Sequence, residues 1–318
     1  MTLWQTIVSQ PSALGESPFW HPGEQLLYWV DINGKHIWRF DPASGSAQSW
    51  AMPSEPGCIA PARVGNSNAQ GASGAMVIAL RDGIYRADQW GAPLQRLAHA
   101  VHDPAVTRFN DGKADPVGRL WVGTISEPRD AAEAQLFSLD LQLPRPWALQ
   151  LRAGKAKVAN GLAWSPDART IYWTDTSSHT IRAWDWDAAT FNMTHERIFK
   201  QWPGKPAGWQ PGAKASEAAY GGRPDGAAVD VQGNYWVAMF EGGRVLQISP
   251  SGEVLAAIAV PARCPTMPCF GGADFKTLYL TSARHGRPAA ELALYPDSGC
   301  VFSMRVDVPG LPVNFFVD

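Results

Sequence analysis

With 318 residues, 15 Trp, 30 Gly and 26 Pro but only 18% charged residues, the chain has the composition of a protein rich in strands and turns. Its formal net charge is −2, and it has no basic stretch able to follow a phosphate backbone, which argues against a nucleic-acid partner. No run reaches the roughly 18 apolar residues that a membrane-spanning helix requires, and the first residues, "MTLWQTIVSQPSALGE", lack the pattern of a signal peptide. We therefore expect no membrane span and a cytoplasmic location.

A pair of large apolar residues recurs six times along the chain, each time inside a short strand-like run. These pairs are Tyr28-Trp29, Val77-Ile78, Leu120-Trp121, Tyr172-Trp173, Tyr235-Trp236 and Leu278-Tyr279. They recur at intervals of roughly 40 to 60 residues, close to the ~40 to 50 residues of a four-stranded propeller blade. A second alternating run follows most pairs, as in "HIWRFD" and "QLFSLD", after turn residues such as "DINGKH". No segment shows an apolar stripe at helical spacing, so we predict strands throughout.

These repeats predict an all-β fold: a six-bladed β-propeller with four-stranded antiparallel blades around a central channel, formed by residues 1–318 as a single domain. Closing the sheets into a ring protects their edges. Two stacked sandwiches are also all-β, but they would not repeat one motif six times. We expect a strand from one terminus to close the ring, and both "LWQTIV" and "VNFFVD" remain open for this role.

The interval between the fourth and fifth pairs is the longest, because residues 200–222, "KQWPGKPAGWQPGAKASEAAYGG", are inserted there. Their Gly, Pro and Ala content predicts a long loop near the channel mouth. This insert is either a lid that narrows substrate choice, with a Trp stacked on the substrate, or a solvated loop without a catalytic part. A second stretch, residues 62–75, has the composition of a flexible insertion.

Aligning the repeats on their apolar pairs places four oxygen-bearing side chains at one register. Glu16, Asn110, Asn160 and Asp225 each lie roughly 11 to 13 residues before the second residue of their pair. Because the first strand of every propeller blade lines the channel, equivalent positions converge at one end of it. Two carboxylates held together there repel each other, and a bound cation relieves the repulsion. The register therefore predicts a metal site.

Turn chemistry is the alternative interpretation, since Asn160-Gly161 and Asp225-Gly226 are also ordinary turn dipeptides. It does not account for Glu16, which is followed by Ser17-Pro18, nor for the shared register. Oxygen ligands favour a hard cation, Ca²⁺ first and then Mg²⁺ or Mn²⁺. Zn²⁺ and Fe²⁺ usually recruit His or Cys but also occupy open catalytic sites, so they stay among the alternatives.

Five motifs, spread in order over nearly the whole chain, resemble the regucalcin (senescence marker protein) and gluconolactonase family of sugar lactonases. They are "LGESPFW", "RFNDGKADPVGRLWVGT", "NGLAWSPDARTIYWTDT", "RPDGAAVDVQGNYWVAMFEGGRV" and "CFGGADFKTLYLTSAR". The resemblance implies a six-bladed propeller that binds one catalytic divalent metal ion and hydrolyses a small sugar lactone. It implies Glu16, Asn160 and Asp225 as metal ligands.

The resemblance also implies substrate contacts. It assigns them to Arg108 and Asn110 in "TRFND" and to Glu127 in "GTISEPRD". Members of the family often carry a second Glu after the position of Glu127, where this chain has Pro128. Pro128 therefore leads us to expect a different substrate contact at this position and, with it, a different preferred lactone.

For a lactone, a metal at this site would act as a Lewis acid on the ring carbonyl, while Arg108 and Asn110 hold the sugar. The resemblance suggests Asp225 as the catalytic general base. A carboxylate on a cation is a weak base, so a hydroxide on the metal remains an equal candidate for the nucleophile. Alternative functions are phosphotriester hydrolysis at the same site and a non-catalytic calcium-binding propeller. We expect a monomer or weak oligomer whose partner is a small-molecule lactone.

Overall fold

The computed structural model describes residues 4–63, 74–128, 131–141, 147–212 and 220–317. Within them, the chain forms six four-stranded antiparallel sheets. The innermost strand of each sheet contacts that of the next, and the last contacts the first, so the sheets close into a ring. Each predicted apolar pair lies on the second strand of its sheet. The predicted six-bladed β-propeller is therefore confirmed.

The strands follow chain order within blades one to five, and blade six adds the N-terminal strand at its outer edge. Blade one contains β2 (Gly15–His21), β3 (Leu26–Asp31), β4 (His36–Asp41) and β5 (Ser46–Ala51); blade two, β6 (Pro56–Pro61), β7 (Met76–Leu80), β8 (Gly83–Ala87) and β9 (Gln95–His99); blade three, β10 (Thr107–Ala114), β11 (Leu120–Ser126), β12 (Ala134–Leu139) and β13 (Gln150–Ala156). Blade four contains β14 (Ala159–Trp164), β15 (Thr170–Asp175), β16 (Thr180–Trp186) and β17 (Met193–Gln201); blade five, β18 (Arg223–Val229), β19 (Tyr235–Phe240), β20 (Arg244–Ile248) and β21 (Val254–Ala259). Blade six contains β22 (Pro265–Gly271), β23 (Thr277–Ser282), β24 (Val301–Arg305) and β1 (Gln5–Val8).

The N-terminal strand closes the ring. β1 pairs antiparallel with β24 and becomes the outermost strand of blade six, so residues from both ends of the chain share one sheet. Of the two candidates, "LWQTIV" therefore supplies this strand. "VNFFVD" makes a different contact, a single parallel bridge between Phe316 and Ala62 beside blade two.

Hydrophobic side chains fill the spaces between neighbouring blades. Six buried clusters alternate with the blades, and each draws its residues from two adjacent sheets. The Trp and Tyr residues of the repeated pairs sit in these clusters, where Trp29, Trp121 and Trp173 are almost fully buried. Burial of large aromatic surface between sheets is the main source of stability for such a ring.

Every innermost strand carries a register irregularity near its first residues. In β2 it follows Glu16, in β14 it follows Asn160, and in β18 it spans Asp225. A β-bulge redirects a side chain out of the sheet's ordinary alternation. The same local distortion therefore recurs at the channel end where the inner strands begin.

One helix departs from the all-strand prediction. Helix α1 (Ala289–Leu294) lies between β23 and β24 and is only six residues long, too short for its sequence to show a helical period. Its Glu291 is buried and accepts two hydrogen bonds from Arg287. Among the described residues, no helix combines the length and apolar character needed to cross a bilayer.

The insert connects β17, which ends at Gln201, to β18, which begins at Arg223. In its described part, Trp209 contacts the ring of Tyr220 with centroids 5.2 Å apart. Trp202 packs on the cluster between blades four and five. The predicted loop over residues 200–222 includes 213–219, which lie outside the described residues. So do residues 64–73 of the stretch predicted as a flexible insertion.

Candidate active site

A cavity of about 290 Å³ lies at the end of the channel where the inner strands begin. Its size is at the lower end of the ~300–1,000 Å³ range of small-molecule pockets, which suits a monosaccharide. It is lined by Leu14, Glu16, Arg108, Asn110, Ile125, Val158, Asn160, Thr176, Ser177, Arg223, Asp225, Phe240, Ala283, His285, Gly286 and Arg287. Five of the six side chains that the sequence singled out are in this set; Glu127 is not.

Glu16 is held at the start of β2 by a strained backbone. The next residue, Ser17, has φ of 48°, and its N–H donates to Glu16 Oε2 over 3.1 Å. The side chain is buried, and burial first, then the carboxylates of Asp225 and Asp111, raises the pKa of Glu16 well above its ordinary value. Glu16 of blade one and Asp225 of blade five are thus two buried carboxylates that line the same cavity.

Asn160 is oriented by hydrogen bonds on both sides of its amide. Its Nδ2 donates to Thr176 Oγ1 over 2.8 Å, which turns Oδ1 the other way. Asn110 Nδ2 donates to that Oδ1 over 2.9 Å, and Asn110 Oδ1 accepts from Arg108 Nη1 over 2.7 Å. Arg108, Asn110 and Asn160 thus form a continuous chain of buried polar groups between blades three and four. Such a fully hydrogen-bonded network holds its members in one geometry.

An Asp that ends the second strand of blades one and four positions the residues just before the site. Asp31, at the end of β3, accepts hydrogen bonds from the N–H groups of Ala13 and Leu14, at 2.9 and 3.0 Å. Asp175, at the end of β15, accepts from the N–H groups of Lys157 and Val158, at 3.1 and 3.2 Å. Glu16 and Asn160 follow two residues after Leu14 and Val158. Blades one and four therefore anchor the approach to these two side chains in the same way.

The donor set fits a divalent cation. Glu16 and Asp225 supply buried carboxylates whose repulsion a cation would offset, and Asn160 supplies an amide oxygen. Over the described ranges, no three His, Cys, Asp or Glu side chains are grouped to hold a metal ion. The amide oxygen of Asn160 is therefore needed to complete a three-residue set.

Glu127 points to a different partner. Its carboxylate accepts two hydrogen bonds from Arg81 of blade two, at 2.9 and 3.1 Å, and its side chain is 43% exposed. Arg81 also binds Glu55 over 3.0 Å. Glu127 lies 4.0 Å from Arg108 Nε, so it borders the polar chain described above from outside the cavity.

The repeat carried a further signal, at the position two residues before each predicted oxygen donor. That position is occupied by Leu14, Arg108, Val158 and Arg223, and all four line the cavity. Residues two apart on a strand share a face, so aligning this position as well would have identified Arg223. Arg287 and Thr176 carry no such signal, since they follow the second strands of blades six and four.

A second cavity of about 250 Å³ lies where the inner strands end. It is lined mainly by apolar side chains, including Trp20, Trp164 and Phe270, and by the segment 311–314. Lys113 also lines it, donates to the Ala227 carbonyl, and has a pKa lowered by burial. The carboxylate and amide donors line only the first cavity of the two, so we take that one as the candidate active site.

Comparison with known proteins agrees with this architecture. Residues 14–284 match the family model described as "SMP-30/Gluconolactonase/LRE-like region". The chain belongs to this family. Among the family's relatives, a 6-deoxy-6-sulfogluconolactonase from Pseudomonas putida is 43% identical over 98% of this chain and 97% of its own length. Regucalcin from Danio rerio is 32% identical over 97% of this chain and 96% of its own length. The structure of a calcium-binding regucalcin from Agrobacterium tumefaciens, 24% identical, superposes with a TM-score of 0.84 over 98% of this chain and 96% of its own, which supports the shared fold.

Proposed function

We propose that the protein hydrolyses a sugar lactone, opening the ester ring of an aldonolactone to the free aldonic acid. The observation that carries the proposal is the meeting of Glu16, Asn160 and Asp225, from three blades, in one monosaccharide-sized cavity beside Arg108 and Asn110. Membership in the gluconolactonase family supports it, as does the 43% identical relative named for a sulfogluconolactone. Among aldonolactones, the candidates are the glucono-, xylono-, arabinono- and galactonolactones and the 6-sulfonated gluconolactone.

Glu16, Asn160 and Asp225 would hold the divalent cation in this proposal. Hard oxygen donors favour Ca²⁺, with Mg²⁺, Mn²⁺, Zn²⁺ and Fe²⁺ as alternatives. When bound, such a cation supplies Lewis acidity toward the lactone carbonyl.

The remaining chemistry belongs to side chains. Arg108 would donate hydrogen bonds to the sugar hydroxyls, and Asn110 Oδ1 would accept one, because both N–H groups of Asn110 Nδ2 already donate to Ala159 O and Asn160 Oδ1. These contacts would fix the carbonyl in place, since a held substrate reacts with less loss of entropy. Asp225 would accept the proton of the attacking water. Glu127 would act on the substrate through Arg108, whose Nε lies 4.0 Å from its carboxylate.

The insert would act as a cover over this end of the channel. Its Lys205 forms an ion pair with Glu241, which in turn pairs with the cavity-lining residues Arg223 and Arg287. Through these contacts the insert would influence which substrate binds by positioning the two arginines, rather than by placing its tryptophans against the substrate. Neither Trp202 nor Trp209 is among the described residues that line the cavity.

The proposal is tested with protein stripped of metal by a chelator. A pH-drop assay over the lactones named above, with each of the five cations added back, should restore hydrolysis in a metal-dependent manner. A phosphotriester in the same panel tests the alternative function: its hydrolysis in place of the lactones would identify a phosphotriester hydrolase. Tight Ca²⁺ binding without turnover of any lactone would instead identify a non-catalytic propeller.

A further inference from the structure

Arg223 stands apart from the other arginines of the cavity. It lines the wall at the start of β18, two residues before Asp225, and its side chain is 21% exposed. Within the described part of the chain, its guanidinium donates no hydrogen bond, and its Nε is buried without a partner. Its one ion pair among these residues, with Glu241, spans 3.6 Å. A guanidinium carries five N–H donors in a planar fork, so this cavity wall presents unused donors.

The neighbouring cation, Arg287, is more fully engaged. It donates to both oxygens of Glu291, at 2.6 and 2.9 Å, and to Glu241 over 3.0 Å, so that each of its three nitrogens makes a hydrogen bond. Those bonds fix Arg287 as part of the wall, whereas Arg223 donates none in the described residues. The ring of Phe240 supports the Arg223 guanidinium, whose central carbon lies 5.1 Å from the ring centroid.

The charges around this wall do not cancel. Four cations, those of Lys205, Arg223, Arg263 and Arg287, stand against the two carboxylates of Glu241 and Glu291 in the described residues. Arg263 is 1% exposed, and within the described ranges none of its side-chain nitrogens is hydrogen-bonded; its guanidinium lies 5.7 Å from the centroid of Trp209. A buried cation strengthens a positive potential, because little water screens it.

The cavity is therefore divided by charge. Glu16 and Asp225 supply negative charge for a cation on one side, and Arg223 with the cations behind it forms a positive wall on another. A neutral lactone would use the first side and leave the open Arg223 donors to water. A lactone that carries an oxyanion away from its carbonyl would use both.

Building on the proposed lactone hydrolysis, we propose that Arg223 is a specificity-determining residue that binds a tetrahedral oxyanion group, a sulfonate or a phosphate, on the part of the sugar remote from the ring carbonyl. The planar fork of Arg223 matches two oxygens of such a group. Lys205 and Arg263 contribute the surrounding positive potential. The preferred substrates are then anionic aldonolactones.

The test compares kcat/KM for three lactones that differ only at carbon 6: gluconolactone, its 6-sulfonate and its 6-phosphate. Wild-type protein should prefer at least one anionic lactone over the neutral one. Arg223→Gln should lower the ratio of anionic to neutral kcat/KM at least ~10-fold, and Arg223→Lys should lower it less, because a lysine keeps the charge but not the fork. The sulfonate and phosphate arms distinguish the two sources of the oxyanion.

Arg305→Gln is the matched control, because Arg305 is exposed on blade six, where it pairs with Asp274, and its loss should leave the ratio unchanged. Metal content is measured for each variant, so that a displaced Asp225 is recognised. A ratio unaltered by Arg223→Gln, or a wild-type preference for the neutral lactone, overturns this inference alone. Absence of hydrolysis of these three lactones and of the other aldonolactones named above, with metal present, would overturn the proposed function itself.

Discussion

Gly161, next to Asn160, is the residue whose backbone the candidate metal site depends on most directly. Its φ is +60°, and a Cβ built there would collide with Thr174 Oγ1 and the Tyr235 hydroxyl. The Tyr235 hydroxyl donates to the Gly161 carbonyl over 2.6 Å, so these groups cannot move apart without losing that bond. The positive φ of Gly161 within the register irregularity of β14 thus helps to place the Asn160 amide oxygen in the cavity.

Gly161→Ala should lower the free energy of unfolding by about 2–4 kcal/mol, since both the left-handed backbone and the collision oppose it. It should also weaken divalent-metal binding by displacing Asn160. Gly45→Ala is the control, because Gly45 has φ of +71° but a Cβ there would meet no atom within 4 Å, so only the backbone cost of about 1 kcal/mol applies. Urea unfolding and calorimetric metal titration measure both effects. Equal losses for the two variants would contradict the argument.

Asp225 is the other residue whose role is open to a direct measurement. Asp225→Asn keeps an oxygen for the cation but removes the basic carboxylate, so lactone turnover should fall by about 10²–10⁴-fold with metal still bound. Steady-state kinetics together with metal analysis test this. Turnover near that of the wild type, at full metal content, would remove Asp225 as the base and favour the metal-assisted alternative.

At the scale of single residues, the register of the repeats predicts several of the side chains that line the cavity. It selects Glu16, Asn110, Asn160 and Asp225, and all four line the cavity, although their roles stay predictions. The register does not predict Arg287 and Thr176, because they lie in loops or strand ends that differ between blades. Partners such as Arg81 for Glu127 arise from contacts between blades, which a single repeat does not contain.

At the scale of elements, the Asp that ends the second strand of blades one and four connects that strand to the residues before the site. Asp175 Oδ1 accepts three backbone N–H groups, from Lys157, Val158 and Ser177, within 3.2 Å. It therefore ties the end of β15 to the residues that precede Asn160. The equivalent Asp31 does the same for the residues before Glu16.

Asp175→Ala should lower the free energy of unfolding by about 2–4 kcal/mol, because it leaves one buried and two partly buried N–H groups without this acceptor. Metal affinity should fall as well, since Lys157 and Val158, which precede Asn160, are no longer held in place by Asp175. Asp41→Ala removes an exposed turn acceptor for Ala43 and should cost under about 1 kcal/mol. Chemical denaturation of both variants is the measurement. If Asp175→Ala has the stability and metal affinity of the wild type, the anchoring argument is wrong.

The insert is docked through His179, whose Nε2 lies 2.6 Å from the Tyr220 hydroxyl. Burial, and then the nearby cations Arg223 and Lys205, lowers the pKa of His179 against the opposing effects of a backbone hydrogen bond and Glu241. Between this lowered pKa and the ordinary value of about 6.5, the unfolded chain binds more protons than the folded one. The contribution of His179 to stability is thus complete above pH 6.5 and is lost as the pH falls from that value through the lowered pKa of the folded state.

We therefore expect the unfolding free energy of the wild type to fall more between pH 8 and pH 5.5 than that of His179→Asn. Asn is chosen because His179 has φ of 57°, which Asn tolerates. The pKa values of His21 and His102 are also lowered by burial, but both residues are present in the two proteins and cancel in the comparison. Parallel pH profiles for the two proteins would show that His179 is not the group responsible.

At the scale of the whole molecule, the sequence predicts the ring but not its closure. Six repeats with apolar pairs determine six sheets, because each blade can bury its aromatic residues only against a neighbour. The choice of closing strand depends on which terminus pairs with β24, and both termini have strand-like sequences. Helix α1 was missed for a similar reason, as six residues give no periodic signal.

Trp4, just before the closing strand, tests how far the ring behaves as one unit. It is 4% exposed and belongs to the cluster between blades five and six, so it joins the N-terminus to two blades. Trp4→Ala should lower the free energy of unfolding by about 3–5 kcal/mol, the usual cost of deleting a buried Trp. Trp50→Ala, on the outer strand of blade one where Trp50 is only partly buried, should cost less. Urea unfolding should keep a single transition for both variants if closure links all six blades, whereas a separate early transition in Trp4→Ala would show that blade six unfolds independently.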